Sequence, residues 1–467
     1  MSARPSLWTN TEAAEATGGQ CARVWNAYGV SIDSRNMEPG DLYVALKGNT
    51  KDGHEFVSDA LNKGAAAALV SMRPDDVARD APLLMVKDTQ AALEGLGRAS
   101  RARSHARIAA VTGSAGKTTT KEMLRLILAR SGSVSASVSS FNNHWGVPLS
   151  LARMPREAAY GVFELGMNHA GEIRALVGQV RPHVAVITTI APAHLEYFGN
   201  LEAIADAKAE IFEGIEKNGA VILPADNPQF ERLKAHARAA RVARILSFGI
   251  SAGEDSRLLS SEPFGEGQMV AAEIAGKRLR FPIGAAGQHI ASNAIAALLV
   301  AHEMGADVQH GADALAEFAA LKGRGARFSV DGIEVIDESY NANPASMAAA
   351  LALLGRARPR AGARRIAVLG DMLELGERAE ELHRALGADI AAARADLVFL
   401  CGPKMKSLWN ALPASARGAY AEQSPELAPK LLAALKAGDV VLVKGSFGSR
   451  MSVIIDALRT RETAATA

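Results

Sequence analysis

The stretch VTGSAGKTTTKEML, residues 111–124, decides the fold of the middle of this chain. The apolar residues 108–111 lead into it and predict a buried strand, and a helix-like pattern follows it. Gly113 and Gly116 carry no side chains, so backbone N–H groups there can approach phosphate oxygens closely. A strand, a glycine loop and a helix in this order are typical of a nucleotide phosphate site.

The other residues of this loop fit the same prediction. Lys117 would place a positive charge at the β- and γ-phosphates of ATP, and Thr118 would offer a hydroxyl to Mg²⁺. The longer form of the signature has glycine where Val111 stands. The alternative is an ordinary glycine-rich turn with an exposed lysine. The predicted ATP-binding loop consists of Gly113, Ser114, Ala115, Gly116, Lys117, Thr118 and Thr119.

The composition excludes several classes of protein. A length of 467 residues exceeds one ordinary core and favours roughly two to four domains. A net charge of +2 and 5% aromatic residues give no indication of nucleic-acid or membrane binding. The two cysteines and the absence of an apolar segment at the start predict a cytoplasmic protein. The longest apolar run, residues 293–301, is too short to span a bilayer.

Strand and helix patterns alternate in three blocks, which predicts an α/β fold with three domains. Within the second block, candidate strands at residues 161–165, 184–190 and 220–223 predict a parallel sheet, and residues 262–283 predict an antiparallel excursion. The third block predicts a doubly wound, Rossmann-like sheet. The basic residues 98–107 are either a linker or a solvated helix end. The predicted boundaries are 1–105, 106–318 and 319–467.

Polar groups at predicted strand ends are candidates for a metal site, because ligands gather beyond the carboxyl ends of strands in open α/β sheets. Glu164 lies at the end of one such strand and His194 just past the end of another, although either residue alone is more often a surface or structural group. Asn143 lies in a turn, where paired asparagines usually serve the turn itself. By spacing alone, Lys208 is a solvated lysine on an amphipathic helix.

Several motifs in order resemble one family, the Mur ligases of peptidoglycan synthesis. The quoted motifs are TGSAGKTT, NNHWGVPLSL, ELGMNHAGEI, AHLEYFG, IADAKAEIF, ESYNANPASM and VLGDMLELGE. The front of the chain, residues 31–57, resembles the UDP-sugar-binding domain of two branches of that family. The later motifs resemble in particular the branch that joins D-alanyl-D-alanine to UDP-N-acetylmuramoyl-tripeptide.

The resemblance implies three domains: an N-terminal UDP-binding domain, a central ATP-binding domain, and a C-terminal domain that binds the incoming dipeptide. It implies ATP-dependent amide ligation through an acyl phosphate, with Mg²⁺ as cofactor, and we expect a monomer. Lys208 matches a lysine that is carbamylated in these ligases, which reverses the interpretation from spacing. Lys117, Asn143, Glu164, His194 and Lys208 are the implied catalytic residues, and Thr118, Glu164, His194 and carbamylated Lys208 the implied metal ligands.

Further positions follow from the same resemblance. Asn293 matches a residue at the adenine, and Arg324 matches an arginine near the phosphates, although Arg327 is close enough to compete for that role. Asp337 or Glu338 matches an acid at the ribose. In the first domain, Ser34 and Arg35 match contacts to the uridine diphosphate; without the resemblance, a strand-to-turn Ser-Arg pair is preferred.

This sequence departs from the family pattern at two positions. Ile290 stands where an asparagine usually follows the histidine, and Phe447 stands where a polar or basic residue is common. One alternative is the branch that adds the third amino acid, but the only Asp-Asn-Pro sequence, residues 226–228, lies in the second block. A folylpolyglutamate synthase would lack the first block. A nucleotide-gated binding or motor ATPase would need a partner-binding stripe or repeat, and we find none.

Overall fold

The computed structural model describes residues 5–138, 141–251, 253–357, 359 and 362–464. Three large sheets follow one another along the chain, one in each of the three predicted blocks, which confirms the three-part α/β fold. Short 3₁₀ segments lie at Gly53–Phe56, Glu210–Gly214, Leu315–Glu317, Gly376–Arg378, Ala414–Ala416 and Phe447–Ser449. No helix among the described residues is long and apolar enough to cross a membrane.

The first part contains a five-stranded sheet in the order β2-β7-β6-β5-β4, parallel except for β2 at one edge. A separate two-stranded sheet pairs β1 with β3. The central strand β6 is buried along its whole length, as an apolar run covered on both faces should be. The elements are β1 Trp8–Thr9, α1 Asn10–Thr17, β2 Gln20–Cys21, β3 Asn26–Ala27, β4 Gly29–Ser31, β5 Asp41–Val44, α2 Val57–Asn62, β6 Ala67–Val70, β7 Leu83–Met85 and α3 Thr89–Arg103.

The second part is a nine-stranded sheet in the order β16-β15-β14-β13-β12-β11-β8-β10-β9. Strands β8 to β14 run parallel, and β15 and β16 add an antiparallel edge. The strands are β8 Arg107–Thr112, β9 Val134–Ala136, β10 Tyr160–Glu164, β11 Val184–Ile187, β12 Ala220–Pro224, β13 Arg244–Gly249, β14 Ser256–Phe264, β15 Gly267–Ile274 and β16 Lys277–Ile283. The helices are α4 Lys117–Leu128, α5 Gly146–Ala152, α6 Glu172–Val180, α7 Leu195–Phe198, α8 Leu201–Ala209, α9 Phe230–Ala239, α10 Gln288–Glu303 and α11 Val308–Ala314.

Strand β8 shows why this sheet is buried on both faces. Its residues alternate between two apolar clusters, as successive side chains of a strand must. Ala109 and Val111 join the cluster that includes α4 and α10. Ile108 and Ala110 join the cluster that includes α5 and α6. The phosphate-loop strand is therefore fixed at the middle of the sheet.

The third part is a six-stranded sheet in the order β17-β18-β22-β19-β20-β21, parallel except for β17. Buried apolar clusters cover both of its faces, as in a doubly wound fold. The elements are β17 Ala326–Val330, β18 Ile333–Glu338, α12 Pro344–Arg356, β19 Arg365–Gly370, α13 Ala379–Ala392, β20 Leu397–Cys401, α14 Lys406–Ala411, β21 Arg417–Ala421, α15 Ser424–Ala434, β22 Val440–Lys444 and α16 Ser452–Ala464.

Two of the predicted strands differ from the observed ones. The antiparallel excursion begins at Ser256, earlier than predicted, and it extends the central sheet. The strand expected over residues 184–190 ends at Ile187, because the backbone of the next residues turns toward the phosphate loop: the N–H of Ser114 donates to the carbonyl of Thr189.

The basic stretch 98–107 is for the most part the end of α3, and its Arg101 is buried. The Arg101 guanidinium donates to the carbonyls of Val180 and Arg181 at 2.8 and 2.7 Å, and lies 3.4 Å from Glu216. It thereby satisfies carbonyls that the end of α6 leaves without helical partners. At this position the prediction of a solvated helix end is wrong, because the side chain ties the first part of the chain to the second.

We expect Arg101→Met to lower the melting temperature by several degrees. The substitution removes the donor to the buried carbonyl of Val180 and to the part-buried carbonyl of Arg181, which costs about 1–3 kcal/mol of the free energy of unfolding. Differential scanning calorimetry measures the shift. The control is Arg98→Met on the same helix, because its ion pair with Glu94 lies at the surface and contributes about 0.5 kcal/mol or less. Equal shifts for both variants would contradict the structural role of Arg101.

Candidate active site

A cavity of about 610 Å³ lies beyond the carboxyl ends of the central parallel strands. Its walls come from the second and third parts of the chain. The second part contributes Ser114, Ala115, Gly116, Lys117, Thr119, Asn142, Glu164, Thr188, Thr189, His194, Asp226, Asn227, His289, Ile290 and Asn293, among others. The third part contributes Gly323, Arg324, Glu338, Tyr340, Asn341, Ala342, Asn343, Ser346 and Lys444, among others.

The glycine loop is packed so tightly that two of its residues have no room for a side chain. A Cβ at Gly113 would lie 1.9 Å from the hydroxyl of Thr188, and one at Gly116 would lie 2.7 Å from the amide of Asn293. Both glycines have positive φ, +149° and +81°. Helix α4 begins at Lys117, so its free N–H groups and the positive end of its dipole lie at this loop, as anion binding requires.

Lys117 lies in the cavity wall, and its ammonium donates to the carbonyl of Gly113 at 2.8 Å. Burial lowers the pKa of Lys117, the nearby Glu164 carboxylate opposes this shift, and the charge of Arg324 adds to it. The charges of an acid of the second part and of an arginine of the third therefore both act on Lys117. A phosphate group in the cavity would add negative charge beside this lysine.

Glu164 is almost completely buried at the end of β10 and holds two partners. Its Oε2 accepts from the Thr118 hydroxyl and its Oε1 accepts from the Asn142 amide, both at 2.8 Å. Strand β10 lies beside β8, and Glu164 pairs in register with Val111 just before the loop. The predicted metal ligands Thr118 and Glu164 are therefore in direct contact.

Asn143, a predicted catalytic residue, does not line the cavity. Its Oδ1 accepts from the N–H groups of Trp145 and Gly146, so the side chain closes the turn before α5. The preceding residue, Asn142, reaches the cavity and Glu164 in its place. Asn143 therefore serves the turn, which was the alternative interpretation from the sequence. The asparagine that is placed to contact a group in the cavity is Asn142.

His194 lines the cavity and begins α7 with a left-handed backbone, φ +58°. Its Nδ1 lies 2.5 Å from a carboxylate oxygen of Glu374, which belongs to the loop after β19 in the third part. The His194 imidazole is the main cause that holds the pKa of Glu374 below its ordinary value. Sequence reasoning identified His194 and missed Glu374.

Lys208 is buried in α8, with 1% of its surface exposed. Burial and the charge of Lys117 hold its pKa well below the ordinary value, so the two lysines are close enough to interact. No hydrogen bond or ion pair of the Lys208 amine to another described residue is found. The prediction from spacing that Lys208 is a solvated lysine is wrong, because this side chain lies on the buried face of α8.

Asn293 lines the cavity wall beside the phosphate loop, and Arg324 and Glu338 line the wall that the third part contributes. The Arg324 guanidinium lies over the Tyr340 ring at 3.9 Å. Glu338 accepts from the buried Lys444 ammonium at 3.2 Å. Arg327 instead pairs with Glu334 on the neighbouring strand, so Arg324 is the arginine that reaches the cavity.

Asp337, the other candidate for the ribose acid, is fully buried and does not line the cavity. It accepts from the N–H of Gly323 and from the N–H and hydroxyl of Ser339. These bonds fix the turn after β18. Of the two predicted acids, the structure brings Glu338 to the cavity.

Ser34 and Arg35 lie in the first part of the chain and are not in the cavity wall. Ser34 is buried, and its carbonyl accepts from Lys63 at 3.1 Å. Arg35 is exposed and forms a bidentate ion pair with Asp33, which lowers the pKa of Asp33 to about 2. The surface around them is therefore separate from the phosphate-loop cavity.

Several cavity residues were not predicted. Asp226 and Asn227 follow β12, and the Asn227 amide donates to the carbonyl of Ile190 at 2.8 Å. Asn343 caps α12 and donates to the carbonyl of Ser114 in the phosphate loop at 3.2 Å. The strand-end rule that identified Glu164 would also have found Asp226, whereas the Asn343 contact depends on how the third part docks.

Comparison with known proteins gives consistent matches along the chain. Family models match for a Mur ligase family catalytic domain over residues 26–101, a Mur ligase middle domain over residues 111–301, and a Mur ligase glutamate ligase domain over residues 323–447. A protein of Rickettsia prowazekii named UDP-N-acetylmuramoyl-tripeptide--D-alanyl-D-alanine ligase is 34% identical, over 96% of this chain and 99% of that protein.

Two solved structures match over almost the whole chain. Crystal structure I of MurF from Acinetobacter baumannii has a TM-score of 0.85 and 31% identity, and covers 97% of this chain and 99% of its own. The MurF ligase of Thermotoga maritima in complex with ADP has a TM-score of 0.78 and 27% identity, and covers 94% of this chain and 98% of its own. With sequence and fold in agreement from end to end, the chain belongs to the Mur ligase family.

Proposed function

We propose that this chain is the ATP-dependent ligase that joins D-alanyl-D-alanine to UDP-N-acetylmuramoyl-tripeptide, releasing ADP and phosphate. The similar proteins of Rickettsia and Acinetobacter carry the names of this activity. The observation that carries the proposal is the shared cavity. Its phosphate loop comes from the second part of the chain and its opposite wall from the third, so ATP and an acceptor can meet there.

The reaction has two balanced steps. A carboxylate oxygen of the tripeptide attacks the γ-phosphorus of ATP, the bond to the β-phosphate oxygen breaks, and ADP leaves. The amine of the dipeptide then attacks the acyl carbon, loses a proton, and expels inorganic phosphate as the amide forms. A carboxylate alone has no such leaving group, and the first step supplies one.

The chain's own groups suit the first step. The N–H groups of the loop and of the first turn of α4 can hold phosphate oxygens, and Lys117 can neutralise charge that develops on the transferred group. Arg324 offers a second positive charge from the opposite wall. We infer that these groups stabilise the transferring phosphoryl group from two sides.

The donor set around Glu164 fits Mg²⁺, which prefers oxygen ligands and few protein groups. Thr118 and Glu164 present a hydroxyl and a carboxylate in contact with each other. Among the described residues, no three His, Cys, Asp or Glu side chains converge on one point. Substrate phosphates would therefore have to complete the coordination. When bound, Mg²⁺ would draw negative charge from the phosphate oxygens.

We propose further that His194 and a carbamate on Lys208 form the second part of this metal site. Carbamylation needs a neutral amine, and burial beside Lys117 favours the neutral form of Lys208. Among the described residues Lys208 has no acidic partner, and the carbamate would bring a negative charge to this region. Asn293 and Glu338 are then proposed for the nucleoside, and Ser34 and Arg35 for the uridine diphosphate.

The three sheets suit the predicted domain roles at boundaries 1–105, 106–318 and 319–467: UDP-substrate binding, ATP binding and dipeptide binding. Both cysteines, Cys21 and Cys401, are free thiols, which is consistent with the proposed cytoplasmic location. We also propose, as the sequence analysis expected, that the chain acts as a monomer.

The branch that adds the third amino acid is the nearest alternative. Its Asp-Asn-Pro signature belongs in the C-terminal domain, whereas the Asp226-Asn227-Pro228 sequence here follows β12 of the central sheet. The motor or binding ATPase requires ATP turnover without an acceptor. The experiment that separates all three measures phosphate release with UDP-tripeptide and a panel of amino acids and dipeptides.

We expect release only when both UDP-tripeptide and D-alanyl-D-alanine are present. The matched controls replace the dipeptide by D-alanine or by L-alanyl-L-alanine, and mass spectrometry of the product shows whether an amide has formed. High ATPase activity that ignores both substrates would refute the ligase proposal. Product from UDP-dipeptide and a diamino acid would favour the alternative branch.

A further inference from the structure

The loop after β19, residues 371–378, crosses from the third part of the chain to the cavity and contacts the residues around His194. The Glu374 carboxylate lies 2.5 Å from Nδ1 of His194, and the N–H of Glu196 donates to the Glu374 carbonyl at 3.1 Å. A Cβ at Gly376 would lie 3.3 Å from the Cα of Glu196. The two side chains therefore meet inside a close backbone contact between the parts.

Both partners adopt backbone conformations that side chains disfavour. His194 has φ +58° and Glu374 has φ +62°. A residue with a Cβ is strained in this region, and glycine would occupy it more easily. Strained residues of this kind cluster at active sites and ligand contacts, so a pair of them in contact motivates a functional hypothesis. Here two strained residues from different sheets point their side chains at each other.

The contact engages one nitrogen of the imidazole, Nδ1, and His194 is part of the cavity wall. A histidine that binds a metal commonly holds a carboxylate or carbonyl at its second nitrogen, which fixes the ring orientation and the tautomer. The Nδ1–carboxylate approach is short but is not aligned as a straight hydrogen bond. Contacts of this kind are often misaligned before substrates bind and tighten afterwards.

We propose that Glu374 is a positioning residue that orients His194, so that Nε2 faces the metal side of the cavity. This inference rests on the proposed function, because it takes His194 as a metal ligand. Since Glu374 is carried by the third part of the chain, the orientation of His194 then depends on the docking of that part. The metal site would be complete only when the domain that accepts the dipeptide is in place.

The substitution Glu374→Gly tests this and separates function from stability. It removes the carboxylate and at the same time relieves the strained backbone, so we expect an unchanged or higher melting temperature. Mn²⁺, the probe, is titrated into the full chain with ADP present and followed by electron paramagnetic resonance. We expect binding to weaken by about 10-fold or more, the range usual for a lost partner of a metal-binding histidine.

Two controls make the result specific. Arg241→Gly changes another left-handed residue, exposed and outside the cavity wall, and should leave Mn²⁺ binding unchanged. In a His194→Ala background, Glu374→Gly should add no further loss, because its effect passes through the imidazole.

Wild-type Mn²⁺ affinity in Glu374→Gly, or an equal loss with and without His194, would overturn the inference. Ligation by the wild-type protein is measured separately with UDP-tripeptide and D-alanyl-D-alanine. If the wild type makes no amide, the proposed function fails, whatever the Mn²⁺ series gives. If it makes the amide and Glu374→Gly binds Mn²⁺ normally, the inference about Glu374 alone fails.

Discussion

Replacing Lys117 by alanine will lower the turnover of amide ligation by about 10³-fold, because one preorganised charge at the transferring phosphoryl group is lost. The ammonium of Lys117 donates to the carbonyl of Gly113, and the charges of Glu164 and Arg324 both act on it. Burial already disfavours its charged form, so the folded protein loses little when the charge is removed. The melting temperature should therefore stay close to that of the wild type.

Phosphate release under saturating substrates measures the loss in turnover, and calorimetry checks the fold. The matched control is Arg125→Ala on the same helix, because Arg125 is exposed and pairs with Glu122, and neither residue lines the cavity. That variant should retain wild-type turnover. If Lys117→Ala turns over within a few-fold of the wild type, the assignment of residues 113–119 as the ATP loop is wrong.

The phosphate loop could be predicted from sequence because its physics is local. The strand β8, the two glycines and the start of α4 lie within a few residues of one another, and each residue type has a direct geometric role. Strands β6, β11 and β22 could also be predicted from the sequence, because strands that are buried on both faces are continuously apolar. Strands β9, β13, β17 and β21 were missed, since each is partly exposed and its sequence mixes polar and apolar residues.

The contacts within the site depend on strand order, which periodicity does not contain. Glu164 meets Thr118 because β10 lies directly beside β8 in the sheet. In the chain, α4, β9 and α5 separate these two strands. From the sequence, a turn with two asparagines could direct either side chain into the cavity. In the structure it is Asn142 that lines the cavity and donates to Glu164. Glu374 could not be predicted at all, because its role requires the third sheet to dock against α7.

Lys208→Ala will lose about 10²–10³-fold in ligase turnover, and short carboxylates such as formate or acetate will restore part of it. The first effect follows if a negatively charged group on Lys208 holds the metal, a stabilising interaction of the size usual for such sites. The second follows because the alanine leaves room in a buried pocket beside Lys117, where a small anion finds a positive charge.

The sign of the pH dependence adds an independent check. CO₂ reacts with the neutral amine, so lowering the pH protonates Lys208 and should reduce the activity of the wild type. The rescued variant carries no amine at this position and should not share that particular loss. Incorporation of ¹³C-labelled CO₂, followed by NMR, should give a carbamate signal in the wild type that is absent from Lys208→Ala.

The control for the rescue is Lys217→Ala, which removes an exposed lysine near the same helix and should neither lose activity nor respond to formate. If no carboxylate at any concentration restores Lys208→Ala while its melting temperature stays near the wild type, Lys208 acts as an amine and not as a carbamate. Its buried position beside Lys117 would then need another explanation, because two neighbouring ammonium groups repel each other wherever solvent is excluded.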